Sequence, residues 1–156
     1  MVGATSVFST PRTFTITTSG GEVPPRYHGA AMATVELTKD NFNETLEDND
    51  IVLVDFWASW CGPCRQFAPI YETVSGRHPD IVFGKVDTEA QQELAGVFGI
   101  MSIPTLMIFR DKVPLFAQPG ALPEFALEDL VRQTRELDMD EVRAKVAAHG
   151  DGHAAQ

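Results

Sequence analysis

The chain contains two cysteines, Cys61 and Cys64, and only Gly62 and Pro63 separate them. Two thiols at this spacing can close a disulfide and open it again, so the pair predicts redox chemistry. The preceding run, residues 51–57, is almost wholly apolar, which is typical of a buried parallel strand. After the pair, apolar residues recur at helical spacing, namely Phe67, Ala68, Tyr71 and Val74. The sequence therefore predicts a dithiol between a buried strand and the start of a helix.

This position gives the two sulfurs different expected roles. Unpaired backbone N–H groups and the positive end of a helix dipole favour an anion, which lowers the pKa of a thiol at that point. We therefore expect Cys61 to be the nucleophile. Cys64 lies one turn into the helix, where it can reach Cys61 but is shielded from solvent. We expect Cys64 to be the resolving thiol.

Two other uses of the cysteine pair are open at this stage. The pair could be half of a zinc site completed by His149 and His153, although zinc fingers separate their ligand pairs by only about 12 residues. A purely structural disulfide is the other alternative, although a bridge that closes so short a loop adds little stability. We expect a redox site without a metal.

The segment around the pair resembles the active site of the thioredoxin family. It reads Trp-Cys-Gly-Pro-Cys over residues 60–64, whereas glutaredoxins usually carry Cys-Pro-Tyr-Cys and disulfide isomerases Cys-Gly-His-Cys. Further family landmarks follow in order, namely Asp55, Pro69, Lys85, the Ile103-Pro104-Thr105 loop and Gly120. The resemblance covers residues 33–135. The sequence as a whole is similar to those of thioredoxins from high-GC Gram-positive bacteria. It implies an α/β thioredoxin fold, with a mixed central β-sheet flanked by helices.

The sequence pattern agrees with alternating strands and helices. Strands are expected at residues 34–37, 51–57, 81–86, 105–109 and 113–118. Thr38 is expected to cap the first helix. Pro114 has no N–H to donate, so the last strand should lie at an edge of the sheet.

Three later helices are expected. One opens at residue 87 or 88 and should turn Leu94 and Val97 inward. Another starts at Pro123 and has its less polar residues on one face, namely Leu127, Leu130, Val131, Thr134 and Leu137. A capping box at Asp138 then predicts an extra C-terminal helix that extends to about His149.

Asp55 is the only charged residue in the strand before the cysteines. Burial disfavours an ionised carboxyl, so its pKa should be raised, and it could accept the proton that Cys64 must lose before it reacts. The resemblance implies that Lys85, on the adjacent strand, is its charge partner and lowers that pKa again. The alternative is a satisfied buried ion pair.

The resemblance also implies a groove for client proteins beside the cysteines, with a cis bond before its proline. The expected client-binding residues are Trp60, Gly62, Pro63, Ile103, Pro104 and Gly120. An extended client segment would pair there with free backbone groups, as in β-augmentation. Met101 is expected to fill the core, and the alternative is that it touches clients, because it precedes the loop.

Composition limits the remaining classes. A chain of 156 residues suits one domain. Its net charge of −10, without a cluster of Lys or Arg, argues against binding nucleic acid or an anionic membrane. No apolar run approaches the roughly 20 residues of a membrane span, and no signal peptide is recognisable at the N-terminus. We therefore expect a cytoplasmic monomer.

Residues 1–31 differ from the rest of the chain. They are rich in Ser and Thr and carry one acidic residue, Glu22, with little helical or strand pattern. We expect a disordered extension, followed by a thioredoxin domain at residues 32–156 with its extra helix and short tail. An upstream start codon, with ordinary translation from Met32, is one explanation of this extension, and a targeting segment is another.

Together these features predict a protein-disulfide reductase that binds no cofactor. By resemblance, its dithiol would be restored by a thioredoxin reductase, a flavin enzyme that passes on electrons from NADPH. A competing interpretation is a binding module or holdase that uses the apolar groove around Trp60 and Pro104. The buried Asp55 favours the enzyme, because a binding module has no need of a buried carboxylate.

Overall fold

The computed structural model describes residues 33–150. Within them lie five strands: β1 Thr34–Glu36, β2 Ile51–Trp57, β3 Val82–Asp87, β4 Thr105–Arg110 and β5 Val113–Pro119. The helices of the same residues are α1 Phe42–Asp48, α2 Gly62–Arg77, α3 Gln92–Val97, α4 Glu124–Glu136 and α5 Met139–Gly150. The predicted extension at residues 1–31 and the tail after residue 150 lie outside the described residues.

The strands form one mixed sheet in the order β1-β3-β2-β4-β5. The first three strands in that order run parallel, while β4 is antiparallel to β2 and β5 is antiparallel to β4. The expected mixed sheet with flanking helices is therefore confirmed. Pro114 lies on β5 at the edge of the sheet, as expected for a residue without an N–H to donate.

Helices cover both faces of the sheet, and β2 contributes to both. One core contains side chains of α2 and α4, with Leu53, Phe67, Tyr71, Phe83, Leu106, Ile108, Leu127 and Val131 among its members. The other contains side chains of α1 and α3, with Phe42, Val52, Val54, Phe56, Val86, Leu94 and Phe109 among its members. Because alternate residues of a strand point to opposite faces, Asp55 and Trp57 share the face of Leu53, which α2 covers.

The extra C-terminal helix α5 is attached by contacts near its start. Met139 is buried, and the Asp138 carboxylate accepts a hydrogen bond from the Asp140 N–H at 2.9 Å. Arg143 forms an ion pair of 2.7 Å with Asp111 in the turn between β4 and β5. The expected extra helix and its capping residue are therefore confirmed.

The β4–β5 turn consists of Asp111 and Lys112, and both have positive φ, 50° and 69°. Two-residue hairpin turns of this kind match the twist of the flanking strands, and they favour Asn, Asp or Gly. Lys112 therefore has a backbone conformation that a glycine would adopt more easily.

Four details of the helices differ from expectation, and the first is that α3 begins at Gln92, not at residue 87 or 88. Helix α1 begins after a turn, so Asn41 occupies the position before it, and the Thr38 N–H donates to the Asn41 side chain at 2.8 Å. The residue before the helix is thus Asn41 and not Thr38, although the Thr38 Oγ1 accepts a hydrogen bond of 3.3 Å from the Asp40 N–H in the preceding turn. Val97 is 75% exposed, because Phe98 provides the aromatic ring that packs against Phe42. Leu137 is 41% exposed, since α4 ends one residue earlier.

Among residues 33–150, no helix has both the length and the apolar character that crossing a membrane requires.

Candidate active site

Cys61 and Cys64 lie where α2 begins, immediately beyond the end of β2. They are joined by a disulfide with a Cα–Cα distance of 5.2 Å. Cys61 is the residue before the helix, and its Sγ accepts a hydrogen bond of 3.2 Å from the Cys64 backbone N–H. Gly62 and Pro63 form the first helical residues, where a proline does not lose a helical hydrogen bond.

Both cysteines are almost fully buried, Cys61 at 4% and Cys64 at 2% exposure. They pack in a small apolar cluster with Ala58, against Trp57 and Ile103. The Cys61 Sγ lies 3.7 Å from the Ile103 carbonyl oxygen. The expected difference in shielding between the two thiols is therefore small in the disulfide form.

Asp55 lies on the face of β2 that α2 covers and is buried at 1% exposure, with both carboxylate oxygens lacking a hydrogen-bond partner among residues 33–150. Burial raises the pKa of Asp55 to about 7, and the positive charge of Lys85 acts in the opposite direction. An unpartnered buried carboxylate is costly when ionised, so this group takes up a proton readily near neutral pH.

Lys85 on β3 is the register partner of Asp55 on β2. Its ammonium nevertheless lies over the Trp57 ring, with the Nζ atom 4.8 Å from the ring centroid. Among the described residues, no carboxylate oxygen lies within 4.0 Å of this Nζ atom. The predicted pair is therefore adjacent without forming a direct ion pair.

Tyr71 of α2 is a further titratable group close to Asp55. Burial raises the pKa of Tyr71 well above its ordinary value, and the negative charge of Asp55 adds to that effect. The Tyr71 hydroxyl donates a hydrogen bond of 2.8 Å to the Gly84 carbonyl oxygen on β3. The Tyr71 hydroxyl proton therefore bonds to the backbone of β3 and not to the Asp55 carboxylate.

The predicted groove residues surround the cysteines. The Ile103–Pro104 bond is cis, and Pro104 is buried. The Pro104 carbonyl accepts a hydrogen bond of 2.8 Å from the Gly120 N–H, which holds the end of β5 beside the loop. Gly120 has φ +107°, a conformation that favours glycine. Met101 is 97% exposed, so the interpretation that it fills the core was wrong.

Trp60 immediately precedes Cys61 in the chain and is 65% exposed. Its indole N–H donates a hydrogen bond of 2.6 Å to the Glu89 carboxylate, which lies between β3 and α3. This bond fixes the orientation of an exposed ring beside the sulfurs.

Sequence reasoning did not single out Trp57 or Glu89. Trp57 could have been found, because it lies two residues after Asp55 and so on the same strand face. Glu89 carries no such signal, since its contact with Trp60 spans 29 residues and depends on the loop after β3.

The described residues contain no group of three or more His, Cys, Asp or Glu side chains that could hold a metal. Of the two histidines in the zinc alternative, His149 belongs to α5, and His153 lies outside the described residues.

Comparisons with known proteins agree with this geometry. The thioredoxin family profile matches residues 33–133. A putative thioredoxin 2 of Streptomyces coelicolor is 67% identical over 115 residues, covering 74% of this chain and 86% of the relative. The thioredoxin of Bacillus subtilis is 39% identical over 103 residues, covering 65% of this chain and 98% of the relative.

A solved structure shares the fold. A point mutant of thioredoxin from Halobacterium salinarum superimposes with a TM-score of 0.64 at 33% identity, covering 70% of this chain and 98% of that one. The Streptomyces relative agrees with the expected similarity to thioredoxins of high-GC Gram-positive bacteria. The chain therefore belongs to the thioredoxin family, and it is a protein thiol-disulfide oxidoreductase with Cys61 and Cys64 as its CxxC pair.

Proposed function

We propose that the chain reduces protein disulfides with Cys61 as the attacking sulfur and Cys64 as the resolving one. The Cys61 thiolate attacks a client disulfide, one client sulfur leaves, and a mixed disulfide forms. The Cys64 thiolate then attacks Cys61 Sγ, which releases the second client sulfur and leaves the Cys61–Cys64 disulfide. The client gains two electrons, and the dithiol loses two.

One observation carries this assignment. The Cys61 sulfur accepts the Cys64 backbone N–H at the start of α2, at 3.2 Å. A donor at a helix N-terminus stabilises negative charge, so it favours the thiolate of Cys61. The Cys64 sulfur has no comparable position, because its residue already lies within the helix.

Asp55 is the proposed base for the second step. Cys64 must lose its proton while buried, and burial raises a thiol pKa. The Asp55 carboxyl has a pKa of about 7, and its oxygens accept no hydrogen bond from residues 33–150, so it can hold that proton at neutral pH. Lys85 would limit how far burial raises the pKa of this carboxyl.

Clients are proposed to bind as extended segments between Trp60 and the Ile103–Pro104 loop. This surface combines an exposed indole with backbone groups, and Gly62, Pro63 and Gly120 add no bulky side chains to it. Recognition by backbone and shape gives a broad client range.

Electrons would come from NADPH through a flavin-containing thioredoxin reductase, with the chain acting as a monomer in the cytoplasm. The thioredoxin domain would span residues 32–156, and residues 1–31 would be an extension that precedes it. Neither assembly nor the extension is needed for the exchange chemistry described above.

The test is insulin reduction by the full chain with NADPH and a thioredoxin reductase, followed as NADPH oxidation. Many disulfides reduced per molecule would support the proposal. With dithiothreitol in place of the reductase, a holdase would bind clients without turnover. Absence of turnover with both electron donors would therefore contradict the enzyme assignment.

A further inference from the structure

The contact between Lys85 and Trp57 suggests a role for the tryptophan. Asp55, Trp57 and Lys85 lie on the sheet face that α2 covers, with Asp55 and Lys85 in direct register. The Lys85 ammonium could approach the Asp55 carboxylate, yet it lies over the Trp57 indole at 4.8 Å from the centroid. Both Asp55 oxygens are left without a partner among residues 33–150.

We propose that Trp57 is a positioning residue for disulfide reduction, whose indole face holds the Lys85 ammonium beside Asp55 but out of hydrogen-bond contact with it. The indole is the aromatic group that attracts a cation most strongly. Trp57 acts through Lys85, and it has no contact with the client in this role. The proposal rests on the proposed function of Asp55 as the base.

A direct ion pair would impair the proton transfer. The step moves a proton from Cys64 Sγ to an Asp55 oxygen, after which the Cys64 thiolate attacks Cys61 Sγ and the bond from Cys61 to the client breaks. An ammonium bonded to Asp55 would occupy a lone pair and favour the ionised carboxyl. The carboxyl would then be a weaker base. Held on the indole, Lys85 attracts the carboxylate and leaves its oxygens free.

The other titratable groups near Asp55 do not supply the positive charge that Lys85 supplies. Tyr71 of α2 donates its hydroxyl to Gly84, and the two thiols at the start of α2 are the reacting groups. On β4 the register partner of Asp55 is Leu106, which carries no charge. Asp55 therefore has Lys85 as its cationic neighbour on the sheet.

Lys85 has a second acidic neighbour, Glu36, which is its register partner on β1. Glu36 is exposed, so its attraction for the ammonium is screened by water, whereas Asp55 is buried in a low-dielectric environment. Without the indole, we therefore expect the Lys85 ammonium to move onto Asp55.

The experiment is a double-mutant cycle in the oxidised full chain, read by the carboxyl ¹³C titration of Asp55. Trp57→Leu should lower the Asp55 pKa by about half a unit or more, the size expected from a cation–π contact. Trp57→Phe, which retains a ring, should lower it by less. Trp60→Leu is the matched control, because that indole bonds to Glu89, and it should leave the titration unchanged.

The same substitutions in a Lys85→Met background show whether Trp57 acts by positioning Lys85 or only by shielding Asp55 from water. If Trp57 acts through Lys85, the change in the Asp55 pKa caused by Trp57→Leu should be less than about half as large in the Lys85→Met background as in the original chain. A shift that persists would show that Trp57 only excludes water, and it would overturn the proposal. An unchanged or raised pKa in Trp57→Leu and Trp57→Phe would also overturn it.

This titration also separates the inference from the proposed base role. If Asp55→Asn left insulin turnover unchanged, the base role would fail, while the cycle would still report whether Trp57 positions Lys85. In the active protein, the accompanying readout is the pH profile of turnover. Its acidic limb should move to lower pH in Trp57→Leu, and it should move by less in Trp57→Leu when Lys85→Met is also present.

Discussion

Asp55 and Lys85 occupy partnered positions on β2 and β3, but the Lys85 ammonium lies against Trp57 instead of on the carboxylate. The carboxyl is consequently buried without a hydrogen bond from any described residue. Such a group destabilises the fold when it is ionised. The proposed role of Asp55, as the base that takes the Cys64 proton, would account for keeping such a costly group in the strand before the disulfide.

The first prediction is that Asp55→Asn stabilises the oxidised protein, and increasingly so at higher pH. The pKa of Asp55 is raised from its ordinary value of 3.8 to about 7. The carboxyl therefore adds no penalty at about pH 3, where it is protonated in both states, and its full penalty above about pH 7. That penalty is on the order of 4 kcal/mol, because one pKa unit corresponds to about 1.4 kcal/mol.

Urea unfolding of both proteins at several pH values measures this effect. The difference in unfolding free energy should grow between about pH 4 and 7 and then level off. Turnover by the variant should fall by roughly 100-fold, in line with loss of a general base. A stability difference independent of pH, together with full activity, would contradict the account of Asp55.

The sequence predicted the fold and the cysteine pair well, because both depend on local patterns. The apolar run of β2, the helical spacing after Cys64 and the edge position of Pro114 are each determined by nearby residues. The arrangement of Lys85 was not predictable in the same way. Strand register places Lys85 beside Asp55, but its long side chain can reach either the Asp55 carboxylate or the Trp57 ring. Which of the two it contacts depends on packing in three dimensions.

The errors at Thr38 and Val97 have similar causes. Each residue fits a local pattern, but a neighbour fits the tertiary structure better. Asn41 bonds back to the Thr38 N–H, and Phe98 fills the core that Val97 was expected to reach. The start of α1 therefore depends on a local side-chain hydrogen bond, whereas the inward residue of the short helix α3 is decided by a contact that is distant in the sequence.

A second prediction concerns the β4–β5 turn. Lys112→Gly should raise the unfolding free energy by about 1 kcal/mol, because Lys112 has φ +69° and glycine adopts this conformation without steric cost. Lys112→Ala is the matched control, since it removes the same side chain but retains Cβ, and it should give no gain. Equal stability of the two variants in thermal unfolding would show that the turn is not strained.

A third prediction concerns Glu89, which holds the Trp60 indole. Glu89→Leu should raise the KM for insulin by about two- to tenfold with little change in kcat, the size expected from one lost hydrogen bond. Glu89→Gln keeps a hydrogen-bond acceptor, so its KM should be closer to that of the original chain. Glu93→Leu also removes an exposed acid from this region and should leave KM unchanged. Equal KM values for Glu89→Leu and Glu93→Leu would contradict a role of the Trp60–Glu89 hydrogen bond in client binding.

A fourth prediction concerns residues 1–31. Their polar composition offers little to offset the roughly 1–2 kcal/mol per residue that ordering a backbone costs. A chain that begins at Met32 should therefore keep the melting temperature and insulin-reducing rate of the full chain. A truncated protein that melts several degrees lower would show that the extension packs against the domain.

The roles of the two sulfurs are tested most directly by trapping the mixed disulfide. Cys64→Ser and Cys61→Ser are each incubated with a disulfide-containing client, quenched by alkylation and examined by mass spectrometry without reductant. The account predicts a covalent client adduct at Cys61 in the Cys64→Ser variant, because only the resolving step is lost. It predicts no adduct in the Cys61→Ser variant. Adducts that form through Cys64 in Cys61→Ser, and are absent from Cys64→Ser, would contradict it.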